Sequence, residues 1–150
     1  LYYFISFYFF LKIDFISENI YKFNFMVFII ISFDTFSYIF GKLLGSIKIL
    51  KNISPKKTLE GLIGGIISSF IISFFYIFLT PINFNIFQIF FILIVIFSSF
   101  LGDIIESYFK RINYLKNSSE LLPGHGGFFD RFDSFILSII FYYFLSSSYL

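Results

Sequence analysis

The 150-residue sequence has no cysteine and no tryptophan, one methionine, one histidine and three prolines, and only 13% of its residues are charged. Without cysteine there is no disulfide framework, no thiolate metal site and no thiol nucleophile. With a single histidine besides, the usual nitrogen and sulfur ligand set of zinc cannot be assembled. Charge this sparse excludes an ordinary soluble domain, in which about a quarter of residues are charged. What fills the chain instead is apolar: 58% of residues are hydrophobic and 26% aromatic, with 28 phenylalanines and 11 tyrosines. Phe, Ile, Tyr, Asn and Lys are the residues an AT-rich coding sequence inflates at tolerant positions, so much of the phenylalanine carries no positional information. The composition is that of a membrane protein, and no nucleic-acid partner is expected.

A hydrocarbon core of about 30 Å needs about 20 mostly apolar residues in a helix. Residues 23–41, 62–79, 84–101 and 128–150 meet or nearly meet that length, and residues 1–11 read as a partial span. The uncharged run 61–102 is too long for one helix, and Thr80, Pro81, Ile82 and Asn83 supply the turn chemistry that divides it into a hairpin. That hairpin puts its flanking loops on one side of the membrane. The same loops carry Lys42, Lys48, Lys51, Lys56 and Lys57, then Lys110, Arg111, Lys116 and Arg131, against only Lys12 and Lys22 elsewhere. Lysine and arginine mark the cytoplasmic face, so hairpin geometry and charge agree. The expected fold is all-α, a polytopic transmembrane helical bundle of about four full spans plus a partial N-terminal one. It forms a single domain over residues 1–150. The chain opens on Leu1 inside an apolar run, as a fragment or shortened form would, and no cleavable signal peptide is expected.

The ionisable residues concentrate in a few places. Residues 110–133, KRINYLKNSSELLPGHGGFFDRFD, hold four basic residues, three acids and the only histidine. Asp103 ends an apolar helix, with Glu106, Ser107 and Lys110 following on one helical face. A carboxylate at the membrane lip can hold a hard cation such as magnesium; the same spacing also suits an ordinary Glu106 to Lys110 ladder. Asp130 and Asp133 lie one turn apart around Arg131, at the start of the uncharged run 134–150. Acids there also cap helices, but capping does not account for three carboxylates meeting at one boundary. Gly124, His125, Gly126 and Gly127 precede them and offer free N–H groups for an anion. His125 alone reads equally as a structural loop residue. Lys56 and Lys57 are either surface anchors or phosphate ligands, and Gly61, Gly64 and Gly65 beyond them permit close helix packing. Asp34 falls inside the first full span, where a charge costs about 2.5 to 3.5 kcal/mol. It either pairs with Lys42 or a hydroxyl, or belongs to the polar site.

Taken in order, DTFSYIFGKLLG (residues 34–45), SPKKTLEGLIGG (54–65) and GDIIESYFKRINYLKNSSELLPGHGGFFDRFDS (102–134) strongly resemble the phosphatidate cytidylyltransferases, or CDP-diacylglycerol synthases. The last block is similar to that family's pattern SxxKRxxxxKD, a spacer, then PGHGGxxDRxD. The resemblance runs from about residue 32 to the C-terminus and matches the C-terminal half of a typical bacterial member. It implies an enzyme of the bacterial inner membrane, with its active site facing the cytoplasm, that converts CTP and phosphatidate to CDP-diacylglycerol and pyrophosphate. It implies magnesium, with room for a second cation. Asp103 and Asp130 become the leading metal ligands with Asp133 nearby, while Lys110, Arg111, Arg131 and His125 complete the catalytic set. Lys56, Lys57, Ser107, Lys116, Gly124, Gly126 and Gly127 become substrate-binding residues. Asn117 stands where the family has Asp, which lowers the charge of the loop. The family's N-terminal helices are not in this sequence, an absence for which an obligate homo-oligomer or a second chain would compensate.

Two other classes compete with this expectation. A CTP-dependent lipid-alcohol kinase would share the spans and the phosphate site but not the full PGHGGxxDRxD block. An inactive remnant or small membrane transporter would use its charges for packing or ion passage. A transporter places ionisable groups near the bilayer midplane, whereas here they gather at one boundary.

Overall fold

The computed structural model describes residues 2–13, 17–80, 82, 84–114 and 132–147. Its elements are α1 (Tyr2–Leu11), α2 (Ser17–Leu44), β1 (Lys48–Leu50), β2 (Ser54–Thr58), α3 (Leu59–Leu79), α4 (Ile86–Ile112) and α5 (Asp133–Ser147). Three helical stretches, Ile20–Leu44, Leu59–Leu79 and Ile86–Ile112, are long and apolar enough to cross a membrane. They correspond to the first three full spans expected from the sequence. The fourth expected span, 128–150, is represented by the 15 residues of α5. At 1.5 Å per residue that is about 22 Å of helix, short of a ~30 Å core; residues 128–131 and 148–150 lie outside the described residues. The ten-residue α1 is the partial span.

Local chemistry sets where these helices begin and end. Thr58 caps α3, its hydroxyl accepting from the Gly61 N–H at 3.2 Å, and Asn85 caps α4 by accepting from the Gln88 N–H at 3.2 Å. At the other end of α3 the Thr80 hydroxyl donates back to the Tyr76 carbonyl at 3.0 Å. Asn113 closes α4 by donating its side-chain amide to the Phe109 carbonyl at 2.9 Å. Tyr114 follows at a φ of 55°, in the left-handed region, which turns the chain out of the helix.

The departure from an all-helical chain is the antiparallel hairpin β1–β2, paired Lys48 to Thr58 and Leu50 to Ser54. Sequence reading placed a polar loop there, because three and five residues with no alternation carry little strand signal. An isolated two-stranded hairpin is marginal in water, and this one is held from outside. The Leu59 N–H donates to the Ile47 carbonyl at 2.9 Å, and Glu60 accepts from the Ser46 hydroxyl and the Ile47 N–H. Arg111 Nε donates to the Ile53 carbonyl at 3.2 Å and ties the turn to α4.

The core lies where α2, α4 and α5 meet, with Ile77 entering from α3. Met26, Ile30 and Val95 are fully buried there, beside Phe25, Phe91 and Tyr142. Phe25 stacks between Tyr76 at 5.3 Å and Phe91 at 5.8 Å. The perimeter is apolar as well: Phe78 is 83% exposed and Leu79 72%. Large exposed side chains of this kind suit a hydrocarbon surrounding, and the fold is that of an all-α polytopic membrane protein.

Small residues bring the helices close. A Cβ on Gly61 would lie 2.6 Å from the Ser37 carbonyl oxygen, and one on Gly65 would lie 2.8 Å from the Ser37 side chain. The glycine-rich start of α3 is therefore seated directly on α2, as expected for helix contacts made through small residues. Replacing Gly61 with valine should force the two helices apart. The expected loss is about 1 to 3 kcal/mol, the usual cost of overpacking, read as a lower midpoint of thermal unfolding in detergent.

Candidate functional site

Five elements converge at one end of the bundle: the C-terminal part of α2, the hairpin, the start of α3, the C-terminal part of α4 and the start of α5. Between them is a cavity of about 380 Å³ whose lining includes Asp34, Lys56, Lys57, Asp103, Asp133 and Ser134. Helices α2 and α4, of 28 and 27 residues, are each about 40 Å long at 1.5 Å per residue. They exceed a ~30 Å hydrocarbon core, so their last turns project beyond it. Asp34 lies ten residues, and Asp103 nine, before its helix ends. The two carboxylates thus lie about 15 Å below those helix ends, on the hairpin's side of the bundle.

Asp103 is the centre of the site. Its Oδ1 accepts from the Ser134 hydroxyl at 2.7 Å, and its Oδ2 pairs with Lys57 Nζ at 2.9 Å. Ser134 Oγ also lies 2.9 Å from Asp34 Oδ2, and the Ser99 hydroxyl reaches Asp34 Oδ1 at 3.4 Å. A serine hydroxyl carries one proton. Ser134 therefore satisfies one of the two carboxylates that face it and leaves the other asking for a proton or a cation. Asp133 is the first residue of α5, where the helix dipole favours a negative charge, and its Oδ1 accepts from the Ser134 N–H at 2.9 Å. Lys57 is steadied by the Phe100 ring, 4.6 Å below its ammonium, and by the Phe100 carbonyl at 3.5 Å.

The approach of α5 to α4 is what assembles this cluster. A Cβ on Gly102 would meet the Asp133 carbonyl oxygen at 2.4 Å. One turn deeper, Ser98 and Ser138 hydroxyls are 3.0 Å apart, and Ser138 donates to the Ser134 carbonyl at 2.7 Å. Small residues on both helices let Asp103 and Ser134 meet.

Of the residues singled out in the sequence, Asp103, Asp133, Lys56 and Lys57 come together around the cavity. Asp34 joins them with hydroxyl partners from two other helices, so both features of its open reading occur at once. Ser107, Lys110 and Arg111 lie one to two turns farther along α4 and do not line the cavity. Lys110 pairs with Glu106 at 3.5 Å, which is the ladder the spacing allowed, and Arg111 holds the hairpin turn. Lys116, Asn117, Gly124, His125, Gly126, Gly127, Asp130 and Arg131 lie outside the described residues. Sequence reading did not assign Ser99 and Ser134 to the site. Ser134 adjoins the DRFD block and could have been found from that position; Ser99 had no signal beyond lying four residues before Asp103.

The donor set suits a hard divalent ion. Among the described residues no group of three acidic or histidine side chains is arranged to hold a metal by itself. Magnesium does not need one, since it commonly takes one or two carboxylates and completes its shell with water and substrate phosphates. Asp103 and Asp34, sharing one hydroxyl proton across the cavity floor, are carboxylates of that kind.

Fold and site together define an integral membrane protein with a carboxylate and lysine cavity at one end of its helical bundle. The model of the cytidylyltransferase family matches residues 1–149, and the chain belongs to that family. It is 49% identical over 105 residues to a phosphatidate cytidylyltransferase of Staphylococcus haemolyticus, covering 69% of this chain and 40% of that protein. With the phosphatidate cytidylyltransferase of Staphylococcus saprophyticus it shares 43% identity over 123 residues, 80% of this chain and 46% of the relative. The corresponding Staphylococcus aureus protein is 44% identical over 105 residues, 69% of this chain and 40% of the relative. The chain spans less than half the length of the curated relatives it matches.

Proposed function

We propose that this chain forms the signature-bearing part of a phosphatidate cytidylyltransferase, which joins CTP to phosphatidate and releases pyrophosphate. The observation that supports this most directly is the meeting of Lys57, Asp103, Asp34 and Ser134 in a cavity at the lipid boundary, where a nucleotide from water and a lipid headgroup can both arrive. In the reaction a phosphate oxygen of phosphatidate attacks the α-phosphorus of CTP, a P–O bond forms, and the bond to the β-phosphate oxygen breaks. Little covalent work falls to the protein, and catalysis is positioning and charge neutralisation.

Lys56 and Lys57 enter the cavity from the hairpin strand and are placed to neutralise phosphate oxygens. Asp103 and Asp34 are the described carboxylates that would hold magnesium, with Asp130 and Asp133 from the neighbouring block. When bound, magnesium would neutralise developing charge on the triphosphate. Ser134 keeps Asp103 and Asp34 side by side, and the Phe33, Leu62 and Phe100 side chains add apolar wall to the cavity. Lys110 and Arg111 in the last turn of α4, with His125 and Arg131 from the sequence block that follows it, would complete the positive charge offered to the phosphates. The cavity faces the cytoplasm of a bacterial inner membrane, because the lysines of the hairpin and the end of α4 lie on its side.

The test is to express the chain in membranes with CTP, phosphatidate and magnesium and to follow CDP-diacylglycerol. The parent chain should form it, and Asp130→Asn should lower the rate by about a hundredfold or more, as loss of one preorganised charge does. No product from the parent overturns the reading. Asn117→Asp belongs in the same series, since a gain there would mark Asn117 as a lost carboxylate.

A further inference from the structure

Each oxygen of Asp103 has a polar neighbour. Oδ1 accepts from Ser134 at 2.7 Å and Oδ2 holds the Lys57 ammonium at 2.9 Å. A cation that takes Oδ2 of Asp103 as a ligand competes with the Lys57 ammonium for that oxygen. Ser134 is neutral, 4% exposed, and also bound to Asp34; Lys57 is positively charged and repels the newcomer. Resting on the proposed function above, we propose that Lys57 is an exchangeable internal cation. It keeps the place on Asp103 that a divalent ion takes, and on release carries its charge to the phosphates of the nucleotide.

The construction of the hairpin suits such an exchange. The Lys57 backbone is fixed, because β2 pairs with β1 and the next residue, Thr58, caps α3. Its side chain is 21% exposed, and the four-carbon stem lets a compact ammonium swing about that fixed base. Besides Asp103 its contacts are a carbonyl at the limit of hydrogen bonding, 3.5 Å, and the face of the Phe100 ring at 4.6 Å. Both are weak holds for a charge that can reach water. Lys56 lines the same cavity, so a freed Lys57 would add a second ammonium to a phosphate entering there. Three carboxylates, Asp34, Asp103 and Asp133, line the cavity into which Lys57 reaches. Cation binding and triphosphate capture thereby become one linked event: each favours the Lys57 position that the other needs.

The exchange is tested with Mn2+ as the probe, on the full chain in detergent micelles without nucleotide, by electron paramagnetic resonance titration. Lys57→Met should bind Mn2+ about tenfold more tightly than the parent, equivalent to ~1.4 kcal/mol. Lys57→Arg keeps the charge and should titrate like the parent, as should Lys42→Met at the exposed end of α2. A second measurement uses the unmutated chain. Acylation of the Lys57 amine by a water-soluble reagent, followed by mass spectrometry relative to Lys42, should accelerate when Mn2+ is added. Unchanged Mn2+ affinity in a folded Lys57→Met, or acylation of Lys57 indifferent to Mn2+, overturns the exchange. If Lys57→Met does not fold, the acylation result decides alone. Neither readout involves CTP or phosphatidate. A chain that shows both effects yet makes no CDP-diacylglycerol overturns the transfer reaction and leaves the exchange standing; product formation with a Mn2+-indifferent Lys57 does the reverse.

Discussion

Asp103→Asn should lower CDP-diacylglycerol formation on the order of a thousandfold, the upper end for loss of a single preorganised electrostatic group. The substitution is nearly isosteric. The amide oxygen can still accept from Ser134, so the contact between α4 and α5 survives, but the negative charge that faces Lys57 is gone. Two explanations of a large loss need separating. If Asp103 served only to neutralise Lys57, removing both charges in Asp103→Asn with Lys57→Met would restore much of the rate. If Asp103 holds the cation, the double variant stays as inactive as the single one. The second outcome is expected, because Lys57 and Asp103 share one network and their effects should not add. Incorporation of labelled CTP into lipid, measured across a magnesium series, checks it: the Asp103 variants should fail to respond to added magnesium, whereas a merely misplaced helix would respond with a lower ceiling.

The bundle was legible because its signals are local. Span length, the turn at Thr80 to Asn83 and the lysines on either side of the α3–α4 pair follow from residues near one another in the chain. The helices agree with that reading in number and order, although α2 begins six residues before its apolar segment and α4 ends eleven residues after its own. At their C-terminal ends both helices continue beyond the charged residues Lys42 and Asp103, which end the apolar runs but not the helices; the basic Lys42, Lys110 and Arg111 are favourable in a last turn. The hairpin was not legible, since its strands owe their existence to Glu60, Leu59 and Arg111, which lie outside them.

The site divides in the same way. That Asp103 and Asp133 belong together could be proposed from the family resemblance and from their shared boundary. That Lys57 pairs with Asp103, 46 residues away, could not, nor could the 100-residue link from Asp34 to Ser134. Both depend on how closely the helices approach, and helix approach is set by glycines and serines, which carry little hydropathy signal. The pair of Lys110 and Glu106, one turn apart, was by contrast legible, since it is the ladder their spacing allowed.

Gly102→Ala should therefore be among the most damaging single changes in the chain, although it adds one methyl group and removes no charge. Its Cβ would lie 2.4 Å from the Asp133 carbonyl oxygen and 3.4 Å from the Ser134 Cα. Both are backbone atoms, so no rotamer change can relieve the clash and α5 itself must move. Ser134 would move with it, and a displacement of 1 Å takes its hydroxyl from 2.7 Å to beyond hydrogen-bonding distance of Asp103. Overpacking of this kind costs about 1 to 3 kcal/mol, visible as a lower midpoint of thermal unfolding in detergent. The effect on rate should be larger than that figure suggests, about a hundredfold, because misplacing catalytic groups by 1 Å is enough for such a loss. Serine at 102 should behave like alanine. Gly64→Ala is the informative contrast: the three atoms nearest its Cβ all belong to the Phe40 side chain, on the α2–α3 contact away from Asp103. It should lower the unfolding midpoint while sparing most of the rate in the surviving folded protein. Equal losses of rate in Gly64→Ala and Gly102→Ala would show that the α4–α5 approach has no special part in assembling the site.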